Sequence, residues 1–261
     1  MSEAPLQCRA FGLTHPGMLR RSNQDAFWMD ESAGVFSVAD GVGGLPGGAK
    51  ASQRAVDFVR GRAFALAAGE CSAASVVLAA HEAIRALGHR ISPGLGIGTT
   101  LSLGVLRDHT IELAHVGDCV VYRWSQGRLW RISESHVSQP VLIRNQVVRG
   151  GERLERFLGQ PTPLEIQTLS VDFLPGDWML IVSDGLTKTV DDDEIAAILH
   201  AQEDPKSLCE ALVVISNIRG GPDNTTILAL ALQEAVKANE QGRSSIEAKT
   251  PAAHPHAIRS T

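Results

Sequence analysis

Four aspartates, Asp40, Asp118, Asp184 and Asp223, each stand in a turn at the end of an apolar, β-branched run: VFSVADGVGG, ELAHVGDCVVY, WMLIVSDG and GPDNTTILALAL. Runs of that kind form buried strands, and carboxylates that converge on one buried sheet edge repel one another unless a cation neutralises them. Asp40 and Asp184 close their predicted strands, whereas Asp223 opens one, and in antiparallel neighbours those ends share an edge. Asp118 occupies a turn between two predicted strands, from which it can approach the same edge. Gly41 and Gly185 follow two of the aspartates, and Gly117 and the pair Gly220 and Gly221 precede the others. A residue without Cβ lets backbone turn sharply or come close to a ligand, and the Gly41 carbonyl is itself a candidate ligand. Carboxylates, a carbonyl and water suit Mg²⁺ or Mn²⁺ rather than zinc, and none of the nine histidines shows zinc spacing. Asp-Gly is also common in plain β-turns, so Asp108, Asp177 and the run Asp191 to Asp193 are assigned to turns and a helix cap.

The elements that must position these residues are short strands at Gly34 to Ala39, Thr99 to Leu106, Thr110 to Val116, Val120 to Trp124, Ile166 to Val171, Trp178 to Ser183 and Thr225 to Leu232. Tight turns at Arg107-Asp108-His109 and Ser125-Gln126-Gly127 imply hairpins. Helical segments at Gly48 to Ala68 and Ala73 to Leu87 fall between the first strands, and Asp192 to His200 and Pro205 to Ile218 between the last. Strand runs segregated from helix pairs predict an α+β fold with antiparallel sheets covered by helices, not a parallel βαβ fold. The stretch Ser133 to Pro163 has no clear period, and a loop of that length in a compact domain is expected to serve as a flap beside the site.

A chain of 261 residues with 44% hydrophobic and 20% charged residues can bury a full core, and no apolar run spans a bilayer. The net charge of −5, without a Lys/Arg block, argues against a nucleic-acid binder. Four widely spaced cysteines with no CxxC pair indicate neither a zinc knuckle nor a disulfide scaffold. The stretch MSEAPLQCRAFG carries no export signal, so a cytoplasmic protein is expected. From Gln233 to Thr261 there is no aromatic residue and little branched aliphatic content, which predicts a disordered tail behind a catalytic domain spanning residues 1–232.

Upstream of the first aspartate lies RRSNQDAF, in which the guanidinium of Arg20 is matched to two oxygens of a phosphate and stands near Asp25 in sequence. Taken in order, RxxNQDA, VADGVGG, GIGTTL, AHVGD, SDG and GPDNTT resemble the bacterial branch of the metal-dependent serine/threonine phosphatases of type 2C, over most of Phe11 to Leu232. The resemblance implies a four-layer α/β/β/α sandwich, hydrolysis of phosphoserine and phosphothreonine in proteins, and opposition to a Ser/Thr kinase. It implies that Asp40 bridges two Mn²⁺ or Mg²⁺ ions, that the Gly41 carbonyl completes one of them, and that Asp184 and Asp223 hold the second. Asp118, with Asp184, matches the position of a weaker third ion. Arg20 would clamp the substrate phosphate, Gln24 would touch metal-bound water from behind the ligands, Asp25 would orient such water, and Asn224 would support the site. A water activated between two cations would attack phosphorus in line, with no phosphoenzyme.

Three departures stand out. Family members commonly carry His after DGxGG, a candidate proton donor to the leaving alcohol, where this chain has Leu45. GExAS is replaced by Gly48-Ala49-Lys50-Ala51-Ser52, and DHS by Ser135-His136-Val137 in the flap. His136 reads as a solvated bystander rather than a replacement acid. His115 reads as a satisfied core histidine and Cys119 as a small buried side chain. The complete set of acidic and polar positions speaks against a catalytically dead module that binds phosphoproteins, and the shortage of basic clusters speaks against another oxygen-ligated metal hydrolase such as a nuclease.

Overall fold

The computed structural model describes residues 6–138, 141–143, 146–149 and 153–234. In chain order they form β1 (Leu6–His15), β2 (Asp25–Asp30), β3 (Val35–Asp40), α1 (Gly48–Arg60), α2 (Ala63–Ala67), α3 (Ala73–Ile91), β4 (Leu101–Arg107), β5 (Thr110–Val116), β6 (Val120–Ser125) and β7 (Arg128–Arg131). The second half continues with the short strands β8 (Val137–Ser138), β9 (Val141–Ile143), β10 (Gln146–Arg149) and β11 (Arg153–Leu154), then β12 (Gln167–Asp172) and β13 (Trp178–Val182). It ends with α4 (Asp184–Thr187), α5 (Asp192–His200), α6 (Pro205–Ile218) and β14 (Thr225–Glu234).

Two five-stranded sheets form the centre, ordered β12-β5-β4-β3-β2 and β1-β14-β13-β6-β7, with every strand pair antiparallel. Helices α1 and α3 cover the first sheet and α5 and α6 the second, so the expected α/β/β/α layering is what the chain adopts. Side-chain alternation along each strand explains it. On β3, Val35 and Ala39 join the core under α1 and α3, whereas Phe36 and Val38 join the core between the sheets. On β13, Leu180 and Val182 face α6 while Met179 and Ile181 face inward. Both faces of these strands are apolar because both are covered.

The helices follow from ordinary signals. A buried stripe of Ala51, Ser52, Ala55, Val56 and Val59 recurs at three- and four-residue spacing on α1. Asp191 and Glu194 form a capping box on α5, and Asp204 caps α6 ahead of Pro205 at the first helical position, which assigns the aspartate run as expected. Asp108 sits in the β4–β5 turn with φ 50, and Asp177 is buried and paired with Arg123 at 2.8 Å, so both are structural.

Several expectations are revised. The segment Gly48 to Ala68 is two helices, because the chain leaves helical geometry at Arg62, φ -117, directly after Gly61, a residue of poor helix propensity. Strands β1 and β2 were not anticipated. β1 pairs along its whole length with β14, and its inward Cys8 and Ala10 and outward Phe11 and Leu13 alternate around Arg9 and Gly12, which mask the period. β14 runs to Glu234, so Gln233 and Glu234, expected in the tail, pair with Gln7 and Leu6. The remainder of that tail, 235–261, lies outside the described residues. Within the expected flap, β8 pairs with β11 and β9 with β10. Leu158 exchanges backbone hydrogen bonds with Thr99 at 2.8 and 3.2 Å, tying this stretch to the sheet beside Asp40.

Candidate active site

The inter-sheet core ends in a polar cluster. Counting every second residue along the inward face leads from Phe36 and Val38 to Asp40, from Met29 and Phe27 to Asp25, from Met179 and Ile181 to Ser183, and from Leu230 and Leu228 to Thr226. Asp25 and Asp40 are directly paired across β2 and β3. Oδ2 of Asp25 accepts hydrogen bonds from Ser183 Oγ and Thr226 Oγ1, both at 2.7 Å, so this carboxylate joins the two sheets. The Asp40 backbone is held separately: its N–H donates to Thr100 Oγ1 at 2.8 Å, and its carbonyl accepts from Thr99 Oγ1 at 2.7 Å and Thr100 N at 2.8 Å.

Around this cluster opens a cavity of about 450 Å³ whose wall includes Asp40, Gly41, Asp118, Asp184, Asp223 and Arg20. Gln24, Asn224 and Leu45 line it too, as do Arg153, Leu154 and Phe157 from the expected flap. Asp223 Oδ2 accepts from Arg20 Nη2 at 2.9 Å and from Lys188 Nζ at 2.7 Å, and Lys188 also reaches Asp184 Oδ2 at 2.6 Å. Asn224 ties the segment before β2 to the start of β14. Its Oδ1 accepts from Gln24 N at 2.8 Å, and its Nδ2 donates to the carbonyls of Pro16 and Ser22 at 2.9 and 3.0 Å. The Gln24 carbonyl in turn accepts from Gly41 N at 3.1 Å and from Ser52 Oγ at 2.5 Å. A Cβ on Gly41 would lie 2.5 Å from the backbone of Gly48, which is why this turn carries glycine.

The charges are arranged at a cost. Burial, followed by the charges of Asp25, Asp184, Asp118 and Asp223, holds the Asp40 carboxyl well above the usual carboxylate range. Burial pushes Asp25 up to about 6, against the opposing hydrogen bonds of Thr226 and Ser183. Asp184 is raised by burial more than Lys188 lowers it. For Asp223, burial is outweighed by Lys188, by the Asn224 N–H and by Arg20, and its pKa is lowered. Asp25 Oδ1 and Asp184 Oδ1 are buried without a hydrogen-bond partner among the described residues. Orphaned carboxylate oxygens, mutual repulsion and an all-oxygen donor set fit hard divalent cations. Among the described residues, no three acidic, imidazole or thiol groups are gathered tightly enough to be a ready ligand shell. Between Asp184 and Asp223 stands the Lys188 ammonium, bonded to one oxygen of each.

The raised carboxyls make a prediction about stability. A carboxyl whose pKa is higher folded than unfolded makes the folded state bind more protons, so stability falls as pH rises through the window between the unfolded value, about 3.9, and the folded one. For Asp25 that window ends at about 6. Over the same range the buried His115, its pKa lowered to about 4, contributes with the opposite sign, so the carboxyl effect is read against Asp25→Asn: in chelator, the change in stability from pH 5.5 to pH 7.5 should be less favourable in wild type than in Asp25→Asn by about 0.5–1 kcal/mol. Saturating Mn²⁺ should reverse the trend, since protons then compete with the ion. Calorimetry of both proteins at the two pH values checks the sign, and an Asp25→Asn protein with the same pH dependence as wild type in chelator contradicts it.

The sequence-predicted residues Arg20, Gln24, Asp25, Asp40, Gly41, Asp118, Asp184, Asp223 and Asn224 are thus brought to one place. His136 is not in the cavity wall. It is buried, its Nδ1 accepts from Gly117 N at 3.0 Å, and it braces the turn before Asp118. His115 is a core residue bonded to Ser102 at 2.8 Å. Cys119 is buried beside Thr100, and burial pushes its thiol well above the ordinary range, so it is inert. Lys188, Ser183 and Thr226 were missed. The last two could have been found as polar residues on the inward face of otherwise apolar strands. For Lys188 the signal was its place one helical turn after Asp184.

Comparison with known proteins agrees with this geometry. The family model for protein phosphatase 2C matches residues 20–212. The serine/threonine phosphatase stp of Listeria welshimeri is 26% identical over 233 residues, covering 82% of this chain and 92% of its own. Among solved structures, PppA, a regulatory component of the type VI secretion system in Pseudomonas aeruginosa, superposes with TM-score 0.73 at 29% identity, over 87% of this chain and all of that one. The catalytic domain of the phosphatase PstP in complex with two manganese ions gives TM-score 0.73 at 25% identity, over 88% of this chain and all of that one. The chain belongs to the protein phosphatase 2C family of serine/threonine phosphatases.

Proposed function

We propose that this metal-dependent phosphoprotein phosphatase works through the residues of the one acidic cavity, with Asp40, the Gly41 carbonyl, Asp184 and Asp223 holding two Mn²⁺ or Mg²⁺ ions and Asp118 with Asp184 holding a third. The observation that carries this reading is the meeting of five aspartates from distant stretches at one end of the inter-sheet core, with an arginine at the rim. Bound there, the ions supply Lewis acidity and an activated water at neutral pH. Asp25, anchored through Oδ2 by Ser183 and Thr226 with its buried Oδ1 left without a hydrogen-bond partner among the described residues, orients water. Arg20, half exposed, is held through Nη2 by Asp223 and through Nε by the Pro222 carbonyl, and presents the remaining part of its guanidinium to the phosphate. Leu45 lines the cavity and has no proton to give, so the leaving alcohol takes its proton from water in the open cavity. The substrates are phosphoproteins, and a Ser/Thr kinase acting in the cytoplasm would supply them. Among the described residues no helix is long and apolar enough to cross a membrane.

Phosphate release from a phosphothreonine peptide tests the reading: release with Mn²⁺ and none in chelator is expected, with no cleavage of nucleic acid in either. Cleavage of nucleic acid but not of phosphopeptide would overturn it. Arg20→Ala should lower kcat/KM by about ten- to a hundredfold, chiefly through KM, because a phosphate clamp is lost while the nucleophile stays. Arg20→Lys should recover part of the loss. Steady-state kinetics on the same peptide measures both, and an unchanged KM in Arg20→Ala would remove Arg20 from substrate binding.

A further inference from the structure

Lys188 has no part in the function just described, yet it touches two of its principal residues. It caps the one-turn helix α4, with its own N–H bonded to the Asp184 carbonyl at 3.0 Å, and its side chain turns back over that helix into the cavity. Nζ lies 2.6 Å from Asp184 Oδ2 and 2.7 Å from Asp223 Oδ2, and Arg20 bonds that same Asp223 oxygen at 2.9 Å. An ammonium and a divalent ion cannot share those two oxygens: Mg²⁺ requires oxygens at about 2.0–2.1 Å, and a unit charge a few ångströms from a double charge is strongly repelled. The Lys188 side chain is 44% exposed, so it can leave into the cavity mouth while Asp184 keeps its buried, unpartnered Oδ1 for the incoming ion.

We propose that Lys188 is a built-in competitor for the divalent ion shared by Asp184 and Asp223, a resident counter-cation that the ion must displace. This rests on the metal-site reading above. The ammonium holds the two carboxylates together when no ion is bound and weakens the ion's net affinity by the contacts it must break. The metal concentration at which the phosphatase becomes active is then set by this side chain as well as by the ligands.

Calorimetric titration of chelator-treated, full-length protein with Mn²⁺ alone, at fixed pH and ionic strength, tests it. Lys188→Met should tighten the weaker of the two principal binding events by about tenfold or more, because the competing charge is gone. The same variant in chelator should melt roughly 2–4 °C lower than wild type, the acidic pair having lost its counter-ion. Lys188→Gln should behave like Lys188→Met, which guards against a packing effect of one replacement, and Lys188→Arg should stay near wild type. Asp184→Asn should lose the binding event. If Asp184→Asn loses it while Lys188→Met and Lys188→Gln bind Mn²⁺ as wild type does, or more weakly, the competitor role is overturned and the metal site stands. If Asp184→Asn binds like wild type, the site reading falls and the inference with it.

Discussion

Asp40→Asn is expected to lower kcat/KM on a phosphothreonine peptide by at least about a thousandfold at saturating Mn²⁺, because ligand charge, activated water and electrostatic clamp depend on it together. Asp40 is the carboxylate whose ionisation is opposed by all four of its neighbours, Asp25, Asp184, Asp118 and Asp223, so it stands at the electrostatic centre of the cluster. The substitution should not unfold the chain. The backbone of Asp40 is held by Thr99 and Thr100, independently of its side chain, and a neutral amide beside Asp25 relieves repulsion. The variant in chelator should therefore melt at or above the wild-type temperature, opposite to its effect on turnover. Asp184→Asn should lose activity comparably, and the double variant should lose little more than either alone, since both act through one assembly. An Asp40→Asn enzyme within tenfold of wild type would mean that the cavity is not where the chemistry occurs.

The aspartates were legible because a strand-terminal carboxylate after an apolar run leaves few places for its charge, and antiparallel pairing fixes which ends meet. The helix-covered antiparallel sheets were legible from the segregation of strand runs and helix pairs, and the four-layer sandwich from the family resemblance; β3, β13 and β14, covered on both sides, carry apolar residues on both faces. The sequence concealed what depends on cross-chain partners. Nothing in LQCRAFGLTH alone favours a ten-residue strand over a loop, and β1 exists because β14 offers it a full ladder. Asp25 was reached only through the family motif, because no strand was expected there, and its place beside Asp40 follows from the pairing of β2 with β3. His136 came into view for chemistry because Leu45 replaces the usual proton donor, whereas its role follows from the Gly117 N–H that it accepts. Lys188 ran against the expectation itself, since a search for ligands of a cation does not look for another cation among them.

The glycine after Asp184 shows how tightly backbone packing is joined to this chemistry, and Gly185→Ala should be among the most damaging substitutions outside the acidic residues. A Cβ there would lie 1.9 Å from the Asn224 carbonyl oxygen and 2.8 Å from its carbon, and these are main-chain atoms that no rotamer can move aside. Either α4 or the start of β14 must shift. If α4 moves, Asp184 is carried away from Asp223. If β14 moves, Asn224 lets go of Pro16, Ser22 and Gln24, and the segment that supplies Arg20 and Asp25 is released with it. Overpacking of this severity should cost about 3 kcal/mol, or roughly 6–12 °C in Tm for a domain of this size, with turnover down by about a hundredfold or more. Gly43→Ala is the matched comparison. A Cβ at Gly43 meets nothing within 4 Å, although the residue also lines the cavity, so its melting temperature should stay at the wild-type value. Thermal denaturation of the two variants side by side separates steric conflict from the mere loss of a glycine. A Gly185→Ala protein as stable and as active as Gly43→Ala would show that Asp184 and Asn224 are not locked together by that contact.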